Sequence, residues 1–272
     1  MSRSVKDYYN KNAKMESERL DGGLCKIEFA STLGLIDRYF PKQGRVCDIG
    51  GGPGRYSIEL LRRGYQVTLF DISEEEIRLA EKQLERLGLQ AEQLLVGDAR
   101  DLSRFASESF DAALLLGPMY HVIDAQERAA ILRELKRLLK PGGIAIIAYL
   151  NSWGLMRTGI VDFPDWYRDI ATLRSMLKEH TFAAQALSGF TEAYWSTPEA
   201  ALQEVKAAGL ELVSYAGAES FAAGMGPLLE KLQAENPEAY ANIIQVAAET
   251  CELEQYRDSS DHLHIVVRRP FS

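Results

Sequence analysis

Cysteine is scarce in this chain. Its three cysteines, Cys25, Cys47 and Cys251, lie far apart and form no C-x-x-C pair, which argues against a disulfide framework and against a zinc site. Cys47 falls inside an apolar run, where a buried, inert thiol is expected. Long apolar stretches are also missing: nothing approaches the roughly 18 uninterrupted apolar residues of a membrane span. The opening segment, Met1 to Tyr8, has no apolar run of signal-peptide length. A cytoplasmic protein without a membrane partner is the expectation. A basic surplus is lacking as well, since 31 Lys and Arg face 39 Asp and Glu for a net charge of −8. Nucleic-acid binders need a basic footprint to displace counterions, so DNA and RNA are disfavoured as partners. The basic stretch Arg133 to Lys140 is interleaved with apolar residues at helical spacing and reads as a solvated helix face. No repeat or low-complexity tract occurs.

What is present is an alternation of short apolar runs with longer amphipathic ones. Hydrophobic residues make up 46% of the 272, enough for a substantial core. Five strands are predicted: Arg45–Ile49, Gln66–Ile72, Gln93–Asp98, Phe110–Gly117 and Ile144–Leu150. Helices are predicted between them, at about Tyr56–Arg63, from Ser73 to about Leu87, and from Asp124 to about Lys140. Ser73 with Glu76 reads as a capping box, Gly88 as a helix stop, and Pro141-Gly142-Gly143 as a helix breaker. A capped helix from Thr197-Pro198 leads to a sixth strand at Leu210–Tyr215, and a last strand is predicted at His262–Arg268. Strands alternating with helices imply right-handed crossovers and a mainly parallel sheet covered on both faces. One domain over 1–272 is expected. Residues 42–150 would form its ligand-binding core, and 152–196 and 221–260 two helical insertions packed over the sheet.

Open parallel sheets bind ligands at the carboxyl ends of their strands. Gly50, Gly52 and Gly54 form a G-x-G-x-G loop after the first strand, where the backbone turns sharply and approaches a ligand. A dinucleotide fingerprint needs a third glycine at position 55, which is Arg55, and no lysine makes the loop a phosphate-binding P-loop. Asp71 ends the second strand, placed to accept hydrogen bonds from both hydroxyls of a ribose. Asp98 and Ala99 are placed for an adenine edge, and Asp48 suits a cationic group. The set describes a positively charged nucleoside without a pyrophosphate.

In these residues the chain resembles the class I S-adenosylmethionine-dependent methyltransferases. Val46-Cys47-Asp48-Ile49-Gly50-Gly51-Gly52-Pro53-Gly54 matches their first motif, Asp71 the ribose-binding acid, and Gly97-Asp98-Ala99 the adenine-contact motif. Phe110–Gly117 matches the fourth-strand motif and Leu139-Lys140-Pro141-Gly142-Gly143 the turn before strand five. The resemblance covers about Lys42 to Leu150, and more weakly the Tyr8-Tyr9 segment and the final strand. It implies a Rossmann-like α/β fold with a doubly wound, seven-stranded, mainly parallel sheet. The antiparallel last strand would insert between strands five and six, and the helical insertions would form a lid over an acceptor site. It also implies S-adenosyl-L-methionine as cofactor and S-adenosyl-L-homocysteine as product. Asp48, Gly50, Gly51, Gly52, Gly54, Asp71, Ile72, Asp98, Ala99, Leu116 and Tyr9 would bind the cofactor.

Gly117-Pro118-Met119-Tyr120-His121 follows the fourth strand, where this fold places residues near the transferred methyl. His121 is a candidate general base, with an ordinary pKa near 6.5; a pocket-shaping role is the alternative. Tyr120 is either an acceptor-site residue or packing. The aromatics Trp153, Trp166, Tyr167 and Trp195 line a lid or pack within it, Asp111 is structural, and His262 and His264 share a strand face and read as structural, with no metal. The leading expectation is methyl transfer to a small-molecule acceptor by a monomer or homodimer. The alternatives are a protein or nucleic-acid methyltransferase, or a nucleoside-binding regulator without catalysis. The Asn/Asp-Pro-Pro-Tyr/Phe motif of amino-group nucleic-acid methyltransferases is absent.

Overall fold

The computed structural model describes residues 3–162, 164–171, 173–174, 181–184 and 191–271. The apolar runs form parallel strands β1 (Arg45–Ile49), β2 (Gln66–Asp71), β3 (Gln93–Val96), β4 (Phe110–Leu115) and β5 (Leu139–Asn151). Successive side chains alternate between the two faces of the sheet. Val46, Ala112, Leu114 and Ile146 pack on one face against Leu35, Ile36 and Leu60. Cys47, Ala113, Leu115 and Ile147 pack on the other against Ile131, Leu132 and Leu135. Those partners come from α2 (Gly23–Tyr39) and α3 (Arg55–Arg62) on the first face and from α5 (Ala125–Leu138) on the second. A further helix, α4 (Glu74–Leu87), joins β2 to β3.

Helix ends follow local chemistry. Asp124 caps α5 by accepting from the backbone N–H of Gln126 and Glu127 at 2.8 and 2.9 Å. Ser73 caps α4 by accepting from Glu76 N at 3.2 Å. The reciprocal half of the expected box is missing, because Asp71 takes the Ser73 N–H at 2.8 Å and leaves the Glu76 side chain free for the cavity described below.

Seven strands run β3-β2-β1-β4-β5-β9-β8, with β9 (His262–Arg268) antiparallel between β5 and β8 (Glu211–Gly217). Three features depart from expectation. First, β5 begins before Pro141-Gly142-Gly143: Leu139 already pairs with Phe110, and a register shift absorbs the turn residues before Ala112 meets Ile144. Second, β5 outruns β4, and its overhang Leu150-Asn151 pairs with Trp195-Ser196 of β7 (Ala193–Ser196). With β6 (Thr181–Ala184), β7 forms an antiparallel ribbon, so the first insertion is not purely helical. Its only α-helix of that length among the described residues is α6 (Ser152–Asp162). Third, the second insertion packs behind the sheet. Its helices α8 (Gly226–Glu235) and α9 (Pro237–Thr250), numbered after α7 (Pro198–Ala207), bury Leu229, Tyr240 and Ala247 against Ile27 of α2. No helix among the described residues is long and apolar enough to cross a membrane.

Candidate active site

A cavity opens at the carboxyl ends of β1, β2 and β4, the ligand edge of such a sheet. Its floor is the loop after β1. Gly50 has φ +77°, and a Cβ there would stand 2.5 Å from Pro118 Cδ, so only glycine lets this loop lie against the turn after β4. Behind the loop, Asp48 is fully buried and accepts from Ser57 Oγ at 2.7 Å through Oδ2. Its Oδ1 has no partner among the described residues. Burial pushes this carboxyl up to about 6, with Ser57 opposing and the Asp71 charge adding.

Asp71 accepts from Gly52 N through Oδ2 at 2.9 Å and from Ser73 N through Oδ1 at 2.8 Å. Each oxygen keeps a lone pair for a further donor. Glu76, on the first turn of α4, buries Oε2 without a partner, and burial together with Asp71 and Glu16 lifts its pKa to about 8. Two orphaned acid oxygens in one cavity call for donors from a ligand. The hydroxyls and the ammonium of S-adenosylmethionine are such donors, and its sulfonium offsets the acidity. The residues present therefore fit that cofactor. Phe70, Ile72, Gly97, Ala99 and Leu116 add an apolar slot suited to a planar base.

Of the residues singled out in the sequence, Tyr9, Asp48, Gly50, Gly51, Gly52, Asp71, Ile72, Ala99, Leu116, Tyr120 and His121 all line this cavity. Gly54 and Asp98 do not. Gly54 is the αL residue that starts α3, and Asp98 turns its carboxylate to Arg100, at 2.8 Å from Nη2 and 3.1 Å from Nε. Asp111 lies at the opposite end of the sheet, accepting from Arg45 N and Lys140 Nζ. Neither insertion contributes a described side chain to the lining. Closure comes instead from α1 (Arg3–Arg19), which brings Tyr9, Glu16 and Arg19 over the cavity. The helix is tied down by Lys6 Nζ to Glu74 at 2.8 Å and by Ser73 Oγ donating to Asn10 Oδ1 at 2.8 Å.

His121 ends the 3₁₀ turn Pro118–His121 and is 3% exposed. Its Nδ1 lies 2.8 Å from the carbonyl oxygen of Glu192, just before β7. A carbonyl only accepts, so Nδ1 carries the proton, and the neutral ring's Nε2 accepts from Tyr9 Oη at 2.8 Å. Burial holds this imidazole down to about 4 and the Tyr9 phenol well above its ordinary value. The geometry thus hands the Nε2 lone pair to Tyr9, so any proton reaching His121 there passes through the Tyr9 hydroxyl.

The sequence reading missed four groups of the lining: Arg19, Glu28, Arg55 as a lining cation, and His262. Two more acids, Glu16 and Glu76, also went unassigned. Glu28 and His262 are 234 positions apart and meet only because α2 crosses β9. No local motif announces such a pair. His262, read as structural, is a cavity residue whose Nδ1 is held 2.6 Å from Glu219.

Comparison with known proteins agrees with this geometry. A family described as a methyltransferase domain matches residues 46–143, which contain the glycine loop, Asp71 and the turn after β4. The chain is 25% identical over 233 residues to a tRNA 5-carboxymethoxyuridine methyltransferase of Escherichia coli O157:H7, covering 85% of this chain and 82% of that one. It is 35% identical over 126 residues to a ubiquinone biosynthesis O-methyltransferase of Xanthomonas axonopodis pv. citri, covering 46% of this chain and 49% of that relative. Among solved structures, a methyltransferase from Methanosarcina mazei superposes with a TM-score of 0.59 at 22% identity, covering 88% of this chain and 98% of that one. The last shows the fold. Sheet order, cavity and matched core together give this chain the Rossmann-like fold and the cofactor site of an S-adenosylmethionine-dependent methyltransferase.

Proposed function

We propose that the acceptor is a small molecule, held under α1 beside the turn after β4. In this reading Asp48, Gly50, Gly51, Gly52, Asp71, Ile72, Ala99, Leu116 and Tyr9 hold the cofactor. The observation that carries it is depth. The acceptor end lies beneath Tyr9 and Arg19 of α1, and its innermost side chain, His121, is 3% exposed. A group on a macromolecule reaches that depth only if α1 moves aside.

S-adenosylmethionine supplies an electrophilic methyl group on a positively charged sulfur. The chain's own work is to bind, orient and dry the site. Asp71 presents two oxygens already oriented by backbone N–H groups, which suits the paired hydroxyls of a ribose. Asp48 and Glu76 place acidic oxygens that a cation stabilises. Helix α1 excludes water from the reacting atoms, and positioning of this kind supplies much of the rate in an in-line displacement. His121 anchors the Tyr9 hydroxyl, with Tyr120 packed edge-on against the His121 ring at 4.9 Å between centroids.

The test is release of S-adenosylhomocysteine by the purified protein across phenols, carboxylic acids, amines and thiols, with bulk transfer RNA as a separate arm. Turnover on a small molecule and none on RNA supports the reading. A nucleic-acid acceptor is the second reading, favoured by the match to a protein named for methylating tRNA and opposed by the net charge of −8. Turnover on RNA alone, weakening steeply with added salt, would establish it.

A further inference from the structure

The cavity lining also carries charges to which cofactor binding gives no role. Arg19 from the end of α1, Arg55 at the start of α3 and His262 at the start of β9 all belong to it. The two arginines converge on the first turn of α2: Arg19 Nη1 lies 3.6 Å from Cys25 Sγ, and Arg55 Nη1 donates to the Cys25 carbonyl at 3.1 Å. Arg19 is compensated by Glu16, 2.7 Å from its Nε. Arg55 forms no ion pair among the described residues, and its guanidinium stacks 4.1 Å from the centre of the Phe29 ring. That stacking fixes the plane of the guanidinium and leaves its remaining N–H groups for a ligand.

His262 is prepared in a different way. Glu219 is 1% exposed, and its Oε2 accepts from Ser260 Oγ at 2.6 Å and from the backbone N–H of Asp261 and His262 at 3.0 Å each. The following residue, Ser220, holds φ +52°, a left-handed conformation that a non-glycine residue adopts only when its surroundings impose it. So braced, Glu219 Oε1 takes His262 Nδ1 at 2.6 Å. Glu28 is also close, with one oxygen within 4.8 Å of both partners. Burial alone would depress the imidazole, but Glu28 and Glu219 outweigh it and carry His262 up to about 10. Two carboxylates this close favour the imidazolium form, whose Nε2–H is a donor. No hydrogen bond to Nε2 is made among the described residues. Glu28 is itself occupied, facing His262 and lying 3.5 Å from His264 Nε2.

We propose that Arg55 and His262, with Arg19 at the mouth, form an oxyanion subsite, so the acceptor is an acid recognised through a carboxylate or an ionised hydroxyl. The proposal rests on the small-molecule reading above and sharpens it. Two fixed cationic donors of different shape suit such a group, because charge-assisted hydrogen bonds to an oxyanion are about twice as strong as neutral ones. Amines and neutral alcohols gain no charge-assisted bond from Arg55 or His262.

The test uses the full chain saturated with S-adenosylhomocysteine, so that nothing turns over. Benzoate and benzylamine, with benzyl alcohol as the neutral control, are titrated while calorimetry and the His262 imidazole proton resonance are followed. Benzoate is expected to bind and to shift the His262 resonance, and the other two are not. Arg55→Gln and His262→Gln should each weaken benzoate by about tenfold or more, while Arg55→Lys keeps part of the affinity. Homocysteine-product binding, unchanged in all three variants, checks that each is folded. The inference is overturned if benzylamine or benzyl alcohol binds as well as benzoate, or if both glutamine variants bind benzoate as the wild type does. Loss of S-adenosylhomocysteine binding by the wild type would instead remove the methyltransferase reading itself.

Discussion

Glu76 keeps its proton in the folded protein up to about pH 8, whereas a glutamate in the unfolded chain releases it near 4.5. Between those values the folded state binds more protons than the unfolded one. The stability this group contributes is therefore complete below the unfolded value and is lost as pH rises through the folded one. Glu76→Gln removes that loss. Differential scanning fluorimetry of the apo protein should show the variant gaining melting temperature over the wild type as pH goes from about 5 to about 8; a gap that stays flat across this window would remove Glu76 from the cavity's charge balance. Asp71→Asn forces an N–H₂ group against the Gly52 or Ser73 N–H and removes a charged acceptor. Calorimetry should then show S-adenosylhomocysteine binding weakened by about tenfold or more, and an unaltered affinity would contradict the ribose role. Asp71 was legible in the sequence because it closes a strand next to the glycine loop, where strand ends and ligand coincide. Asp98 falls outside the cavity lining, and two residues on Arg100 binds its carboxylate, a local contact that the motif does not reveal. His262 was illegible because its meaning comes from Glu219 and Glu28, on other elements.

Among the elements, the parallel strands were readable because burial on both faces turns them into near-continuous apolar runs. Helices α4, α5 and α7 were readable from their caps, Ser73, Asp124 and Thr197. The β6-β7 ribbon was not. Its strands are four residues each, and they are held by the overhang of β5, which no property of 181–196 reveals. The role of α1 was half visible, through Tyr8 and Tyr9, but its clamps fall on α4, far along the chain. Those clamps are few: Lys6 to Glu74, and Asn10 accepting from Ser73 and more weakly from Glu75 N at 3.4 Å. Exposed pairs of this kind contribute about 1 kcal/mol or less each. A Lys6→Ala, Asn10→Ala double variant should leave the sheet intact yet raise hydrogen exchange over residues 3–19. It should also speed S-adenosylhomocysteine release several-fold in stopped-flow measurements; unchanged exchange and release would mean that α1 is held by its other contacts, among them Tyr9 to His121 and the buried Val5 and Ala13.

Across the whole molecule, the part shared with the methyltransferase-domain family, residues 46–143, carries the cofactor loop and the acids. Other groups that line the cavity come from outside it: Arg19 and Glu28 before, His262 after. The cavity thus draws segments from both ends of the chain together with the core. S-adenosylhomocysteine at a hundred times its Kd adds about 2.7 kcal/mol, which for a chain of this size raises the melting temperature by roughly 5–8 °C. A single transition moving as one is expected, and a split transition with only one limb shifted would mean that the outer segments fold independently of the core. The insertion of β9 between β5 and β8 also governs when the enzyme comes into being. As the chain leaves the ribosome, β5 and β8 are made first; β5 waits with the edge that β9 will fill, and β8 has no partner strand until β9 arrives. The strand that zips them together begins with His262 itself. Sheet closure and completion of the cavity wall are thus one late event, and a chain cut short before that strand has the glycine loop but an unfinished cavity.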